Sequence, residues 1–170
     1  MKDAVPQEHK ARAPRSIGCF VLTISDSKTL ETDTSGALIR EQLAAAGHRV
    51  VGHAIVRDDP GQVAAVVREG CANPALEAFI LTGGTGVTSR DATFEAVEAL
   101  LDKRLTGFGE LFRMLSYEEI GAAAMLSRAQ AGVVKGRALF SLPGSPNACR
   151  LALDKLVLPE LGHLLGEIKR

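Results

Sequence analysis

The chain has 170 residues, enough for one domain of ordinary size, and it is 46% hydrophobic with no tryptophan, so its core must be built from aliphatic side chains. Twenty basic residues balance twenty acidic ones, which argues against a dedicated nucleic-acid binder, since such proteins normally carry a basic excess. No segment supplies the ~18 apolar residues that a bilayer span needs, and the N-terminus lacks an apolar signal-peptide region, so a cytoplasmic location and no membrane partner are expected.

Residues 1–15 are polar and carry Pro6 and Pro14. They fit a flexible arm, either a disordered tail or an arm that packs on a neighbouring subunit. A single domain is expected over residues 16–170. Residues 17–24 form an apolar run that suits a strand buried on both faces, ending in the polar Ser25-Asp26-Ser27. Asp33 or Thr34 is placed to cap a helix to about Ala46, with Leu38, Ile39 and Leu43 on one stripe and Gly47 as its stop. Val50 to Val56 predict a second strand, and Pro60 opens a helix carrying Val63, Val66 and Val67. Ala78 to Thr82 predict a third strand. A helix is expected from about Ala92 to Arg104. Ser116-Tyr117-Glu118-Glu119 has the capping-box pattern of a further helix start. Val133-Val134, Lys135-Gly136 and Ala138 to Leu142 predict a hairpin. A last helix should start near Pro146, capped by Ser145, and be bent or interrupted at Pro159.

Alternating strands and helices predict an α/β sandwich with a mostly parallel sheet, to which the late hairpin adds antiparallel character. Ligands of such sheets bind beyond the carboxyl ends of the strands. Ser25, Asp58, the Thr82–Gly86 loop and the Pro143–Ser145 loop all follow predicted strands, which places all four at one rim. Cys19, Cys71 and Cys149 are far apart with no C-x-x-C, and the four histidines are scattered, so neither a disulfide framework nor a structural zinc site is expected.

Four segments can carry chemistry. Thr82-Gly83-Gly84-Thr85-Gly86 fits a phosphate cradle, because glycines let backbone N–H groups approach an anion; it fits a tight structural turn as well. No Gly-Lys-Ser/Thr follows, so it is not a P-loop, and Val87 and Ser89 break a dinucleotide fingerprint. Asp91, in Ser89-Arg90-Asp91-Ala92-Thr93, is either a helix cap or a magnesium ligand with Arg90 near the phosphates. Asp58, in Arg57-Asp58-Asp59, is either a solvated loop acid or a second ligand, since magnesium takes one or two carboxylates together with substrate phosphates and waters. Pro143-Gly144-Ser145-Pro146 is a helix cap whose geometry also suits an anion.

Together these segments resemble the MoaB/MogA family of molybdenum-cofactor biosynthesis proteins, which includes molybdopterin adenylyltransferases and the gephyrin G-domain. The resemblance runs from about Ile17 to the final helix. It rests on Thr-Ile-Ser-Asp-Ser (23–27), Asp-Thr-Ser-Gly (33–36), Thr-Gly-Gly-Thr-Gly (82–86), Arg-Asp-Ala-Thr (90–93), Gly-Phe-Gly-Glu-Leu-Phe-Arg (107–113) and Pro-Gly-Ser-Pro-Asn-Ala (143–148). Ser-Tyr-Glu-Glu-Ile-Gly (116–121) is similar to the MoaB branch. Thr106 departs from the proline that many members carry before Gly-Phe-Gly-Glu. The resemblance implies a three-layer α/β/α sandwich that assembles as a trimer or a dimer of trimers. It also implies adenylation of molybdopterin with ATP and Mg²⁺. Asp58 and Asp91 match the family's two essential acids; some MoaB members lack the first and appear inactive, whereas this chain has both. Ser25, Ser27 and Ser145 would hydrogen-bond the pterin or its phosphate. A non-catalytic molybdopterin-binding protein and a structural oligomerisation module are the rival expectations for the same fold.

Overall fold

The structure, a computed structural model, describes residues 16–89 and 91–170; the expected N-terminal arm and Arg90 lie outside the described residues. Six strands form one sheet: β1 (Gly18–Ile24), β2 (Arg49–Val56), β3 (Ala78–Thr82), β4 (Lys103–Arg104), β5 (Gln130–Val134) and β6 (Arg137–Leu142). Their order is β2-β1-β3-β6-β5-β4. The first four in that order are mutually parallel. β5 runs antiparallel to both β6 and β4. The helices are α1 (Thr34–Ala45), α2 (Pro60–Gly70), α3 (Thr93–Glu98), α4 (Thr106–Ile120), α5 (Pro146–Ala152) and α6 (Leu158–Ile168).

The two faces of the sheet carry separate cores. On one, Val21 and Ile80 of the sheet pack with Ile39 and Leu43 of α1, Phe112 of α4 and Leu161 of α6. On the other, Leu22, Phe79 and Leu81 pack with Val63 and Val67 of α2 and Val97 of α3. The predicted three-layer α/β/α sandwich is thus observed. Alternation along β1 explains it, since neighbouring residues serve opposite faces. β1 and β3 are buried along almost their whole length, as parallel strands covered on both sides must be.

α1 begins where the Asp33 carboxylate accepts the Gly36 N–H at 2.9 Å. α2 begins where Asp59 accepts the Gln62 N–H at 2.8 Å, with Pro60 just inside. β5 and β6 are joined by Lys135 (φ 45°) and Gly136 (φ 74°), the two left-handed residues of a tight hairpin. Pro159 sits in the first turn of α6, directly after a wide turn at Leu153–Val157. A missing N–H there removes one rung of the i→i−4 ladder, which fits the expected interruption.

Two expectations fail in the middle of the chain. The helix expected over 92–104 stops at Glu98, and Lys103–Arg104 instead extends the sheet as an exposed edge strand on β5. The capping-box pattern at Ser116 does not start a helix, because α4 has already begun at Thr106 and Ser116 is buried inside it. Gly107 and Gly109 argue against helix by intrinsic propensity. Tertiary packing overrides that preference: a Cβ on Gly109 would stand 2.8 Å from the Ala129 carbonyl oxygen, so glycine is what allows α4 to lie against the start of β5.

Candidate functional site

The chain moves from β1 outward to β2 through α1, then crosses back over β1 to β3 through α2, and α1 and α2 lie on opposite faces. The loops leaving β1 and β3 therefore diverge, which opens a crevice at the carboxyl ends of these strands, the usual ligand position of open α/β sheets. The glycine loop follows β3 at that end of the sheet. Gly83 has φ +95° and its α-carbon lies so close to the carbonyl of Ile24, the last residue of β1, that no side chain fits; Gly84 has φ +66°, and a Cβ there would be 2.8 Å from the Thr93 methyl.

The rim is tied together by short polar contacts. The Gly83 N–H donates to the Leu142 carbonyl at 3.0 Å, which joins the ends of β3 and β6. Thr82 Oγ1 donates to the Pro143 carbonyl at 3.0 Å, and Ser35 Oγ donates to the Gly144 carbonyl at 2.8 Å. Ser145 Oγ accepts the Ala148 N–H and so caps α5. Ser25 Oγ accepts from the Ser27 and Lys28 amides and shapes the loop after β1. Asp26 Oδ1 accepts the Asp58 N–H at 3.2 Å, and Asp58 Oδ1 accepts from Thr93 Oγ1 at 2.6 Å. Asp91 Oδ2 accepts the Thr88 N–H at 2.6 Å, and its carboxylate lies against the Gly86 α-carbon.

Ser25, Asp26, Asp58, Thr82, Gly83, Gly84, Thr85, Gly86, Asp91, Pro143, Gly144 and Ser145 thus share one rim, as the strand ends predict. Ser27 is exposed in the same loop as Ser25 and Asp26. A groove of about 530 Å³ adjoins the rim, bordered by Ser25, Asp26, Lys28, His53 and Arg57.

No acceptor among the described residues takes the N–H groups of Gly84, Thr85, Gly86 or Val87. Four successive donors beside the Asp58 and Asp91 carboxylates suit an anionic ligand, as concave runs of backbone N–H groups do. Among the described residues no cluster of three or more His, Cys, Asp or Glu gathers as a metal cage. Magnesium needs fewer protein ligands, and carboxylates such as those of Asp58 and Asp91 are the hard oxygen donors it takes. The cysteines do not suit metal binding: all three are buried thiols, burial pushes Cys19 up to about 12, and it raises Cys71 and Cys149 as well.

Three side chains near the rim make contacts that the sequence does not indicate. Asp33 is almost wholly buried and carries three donors: the Gly36 N–H, Thr23 Oγ1 at 2.6 Å, and His53 Nε2 at 3.2 Å. This knot ties β1, α1 and β2 together directly beneath the rim. Its capping of α1 is expected from the sequence, whereas nothing local marks His53 as its partner. Thr93, within the Arg-Asp-Ala-Thr motif, bridges α3 to Asp58. Arg128 meets the glycine loop from behind, across 42 residues of sequence, and no local pattern could reveal it.

Fold and rim define the class: a mostly parallel α/β domain with a glycine-rich loop and two acids near its topological switch point. Comparison with known proteins gives the family. The model of a probable molybdopterin binding domain matches residues 20–163. A molybdenum cofactor biosynthesis protein B from Bacillus cereus is 51% identical over 164 residues, covering 96% of this chain and 97% of the relative. The crystal structure of a molybdenum cofactor biosynthesis protein B superposes with a TM-score of 0.90 at 51% identity, covering 94% of this chain and 99% of that one. The tungsten cofactor synthesizing protein MoaB from Pyrococcus furiosus superposes at 0.83 with 38% identity, covering 93% and 100%. The chain belongs to the MoaB/MogA family of molybdopterin-binding domains. No helix among the described residues is long and apolar enough to cross a membrane.

Proposed function

We propose that this protein acts in molybdenum cofactor biosynthesis and adenylates molybdopterin at the glycine-loop rim. The observation that carries this reading is the run of amides at Gly84–Val87 without acceptors among the described residues, set beside Asp58 and Asp91. The terminal phosphate oxygen of molybdopterin attacks the α-phosphorus of ATP, a new P–O–P bond forms, the bond to the β-phosphate oxygen breaks, and pyrophosphate leaves. The loop amides hold the phosphate oxygens as charge spreads over them, a role in which one positioned donor is commonly worth ~10²–10³ in rate. Ser25 and Asp26 border the pterin side. Pro143, Gly144 and Ser145 would contact the ligand from the loop after β6, and Arg90, next to Asp91 in sequence, is assigned to the phosphates. Asp58 and Asp91 would hold Mg²⁺, which when bound neutralises charge on the transferring group. Thr93 and the Thr88 amide fix the orientation of those two carboxylates. No side-chain nucleophile is required.

Self-association belongs to the same reading. Met114, Tyr117 and Ile120 of α4, followed by Met125 and Leu126, are all more than half exposed, and a mainly apolar groove of about 710 Å³ runs between α4 and α6 past Leu105, Phe108, Leu111, Pro159 and Leu164. Contiguous apolar surface of this kind marks interfaces, and we assign a homo-trimer or dimer of trimers, which sedimentation equilibrium reads directly.

The test of the activity is incubation of the protein with molybdopterin, ATP and Mg²⁺. Pyrophosphate should appear in a one-to-one ratio with adenylyl-molybdopterin. Molybdopterin binding without pyrophosphate would instead identify a non-catalytic carrier, and binding of neither ligand a structural oligomerisation module.

A further inference from the structure

Arg128 lies between the 3₁₀ segment Gly121–Leu126 and β5, and its side chain is 23% exposed. Its Nε donates to the Thr85 carbonyl at 3.2 Å, one terminal nitrogen donates to the Gly86 carbonyl, and the other pairs with Glu95 on α3. The guanidinium carbon stands 4.6 Å from the centroid of the Phe94 ring, within cation–π range. Phe94 is held in turn, because Gln130 Nε2 at the start of β5 donates to its carbonyl at 2.9 Å. One side chain therefore joins two successive peptide units of the glycine loop to the first turn of α3.

The direction of those contacts has a consequence for the loop amides. A trans peptide is planar, with its N–H pointing opposite to its C=O, and no peptide among the described residues is cis. With the Thr85 and Gly86 carbonyls turned onto Arg128, the N–H groups of Gly86 and Val87 face the opposite side. Neither has an acceptor among the described residues. A loop containing three glycines has many accessible backbone conformations, so alignment of its dipoles needs an external constraint. Arginine suits that task because its planar fork serves several acceptors at once, whereas a lysine ammonium is a point charge.

We propose that Arg128 is a positioning residue for the phosphate site. It fixes the carbonyl side of the glycine loop so that consecutive amides present together to the anion, and it does not touch the ligand itself. This inference rests on the adenylation reading and adds to it a residue that acts from outside the pocket.

The test compares Arg128→Gln, Arg128→Lys and Glu95→Gln in the full chain, by steady-state adenylation, by pyrophosphate titration and by thermal midpoint. Arg128→Gln should lower kcat/KM by about 10²-fold, the scale of one misaligned oxyanion donor, and weaken pyrophosphate binding about tenfold, with the midpoint little changed. Arg128→Lys, which reaches one carbonyl, should recover part of both losses. Glu95→Gln should cost less than about threefold, since an exposed carboxylate pair contributes little. Wild-type kinetics and pyrophosphate affinity in Arg128→Gln would overturn the proposal, and so would losses in all three variants that track the thermal midpoint. If the wild-type protein itself neither binds pyrophosphate nor adenylates, the adenylation reading fails first; if it does both and Arg128→Gln matches it, only the role of Arg128 fails.

Discussion

Asp58→Asn and Asp91→Asn are each expected to reduce molybdopterin adenylation by about 10²–10³-fold while leaving the fold intact. Charge stabilisation by a carboxylate-held metal is worth several kcal/mol, and each ~1.4 kcal/mol is a factor of ten in rate. The substitution removes charge and leaves shape. In the first variant the new amide oxygen can still accept from Thr93 Oγ1, and in the second it can still accept the Thr88 N–H, so both of these contacts survive. Thermal midpoints should therefore stay close to wild type while pyrophosphate release falls. Full adenylation by both variants would show that these acids are not the metal ligands. A loss of activity that tracks a loss of thermal stability would assign them to structure.

Gly83→Ala is expected to be the most damaging single-methyl change at the rim. At φ +95° an L side chain is strained, and the added Cβ would collide with the backbone carbonyl of Ile24, which cannot rotate away because it closes β1. The left-handed conformation costs roughly 1–2 kcal/mol and overpacking about 1–3 more. The sum, about 2–5 kcal/mol, corresponds to a fall of roughly 5–20 °C in thermal midpoint for a domain of this size. The Gly83 N–H bond to Leu142 would be disturbed with it, and phosphate affinity should disappear. Gly84→Ala provides the comparison. Its obstruction is side chain rather than backbone, the Thr93 methyl at 2.8 Å and Ile24 Cγ2 at 3.1 Å, so its cost should exceed the conformational term but stay below that of Gly83→Ala. Differential scanning calorimetry of both variants decides the point, and equal stability of Gly83→Ala and wild type would contradict it.

Much of this architecture is legible along the chain because it is written in local pattern. β1 and β3 are continuous apolar runs, α1 carries its own cap at Asp33, Pro60 opens α2, and the Lys135-Gly136 turn announces the hairpin. Placing Ser25, Asp58, Thr82–Gly86 and Pro143–Ser145 at one rim followed from strand ends alone. The failures share a different origin. α4 contains Gly107, Gly109 and Ser116, residues that disfavour helix locally, and it is helical because Phe108 and Phe112 are buried against the sheet. β4 is two exposed residues, and only its pairing with β5 defines it. The same holds within the site. The acids sit in recognisable segments, whereas the Thr23–Asp33–His53 knot and the Arg128 brace exist only once distant elements pack.

Everything proposed for the rim depends on the glycine loop presenting its amides to phosphate. The most direct measurement is an amide-resolved NMR titration of the full chain with Mg-ATP. The N–H resonances of Gly84, Thr85, Gly86 and Val87 should shift together and saturate with a single affinity, and their exchange with solvent should slow. Saturable shifts confined to other surfaces, such as the apolar groove between α4 and α6, with these four amides unmoved, would contradict it.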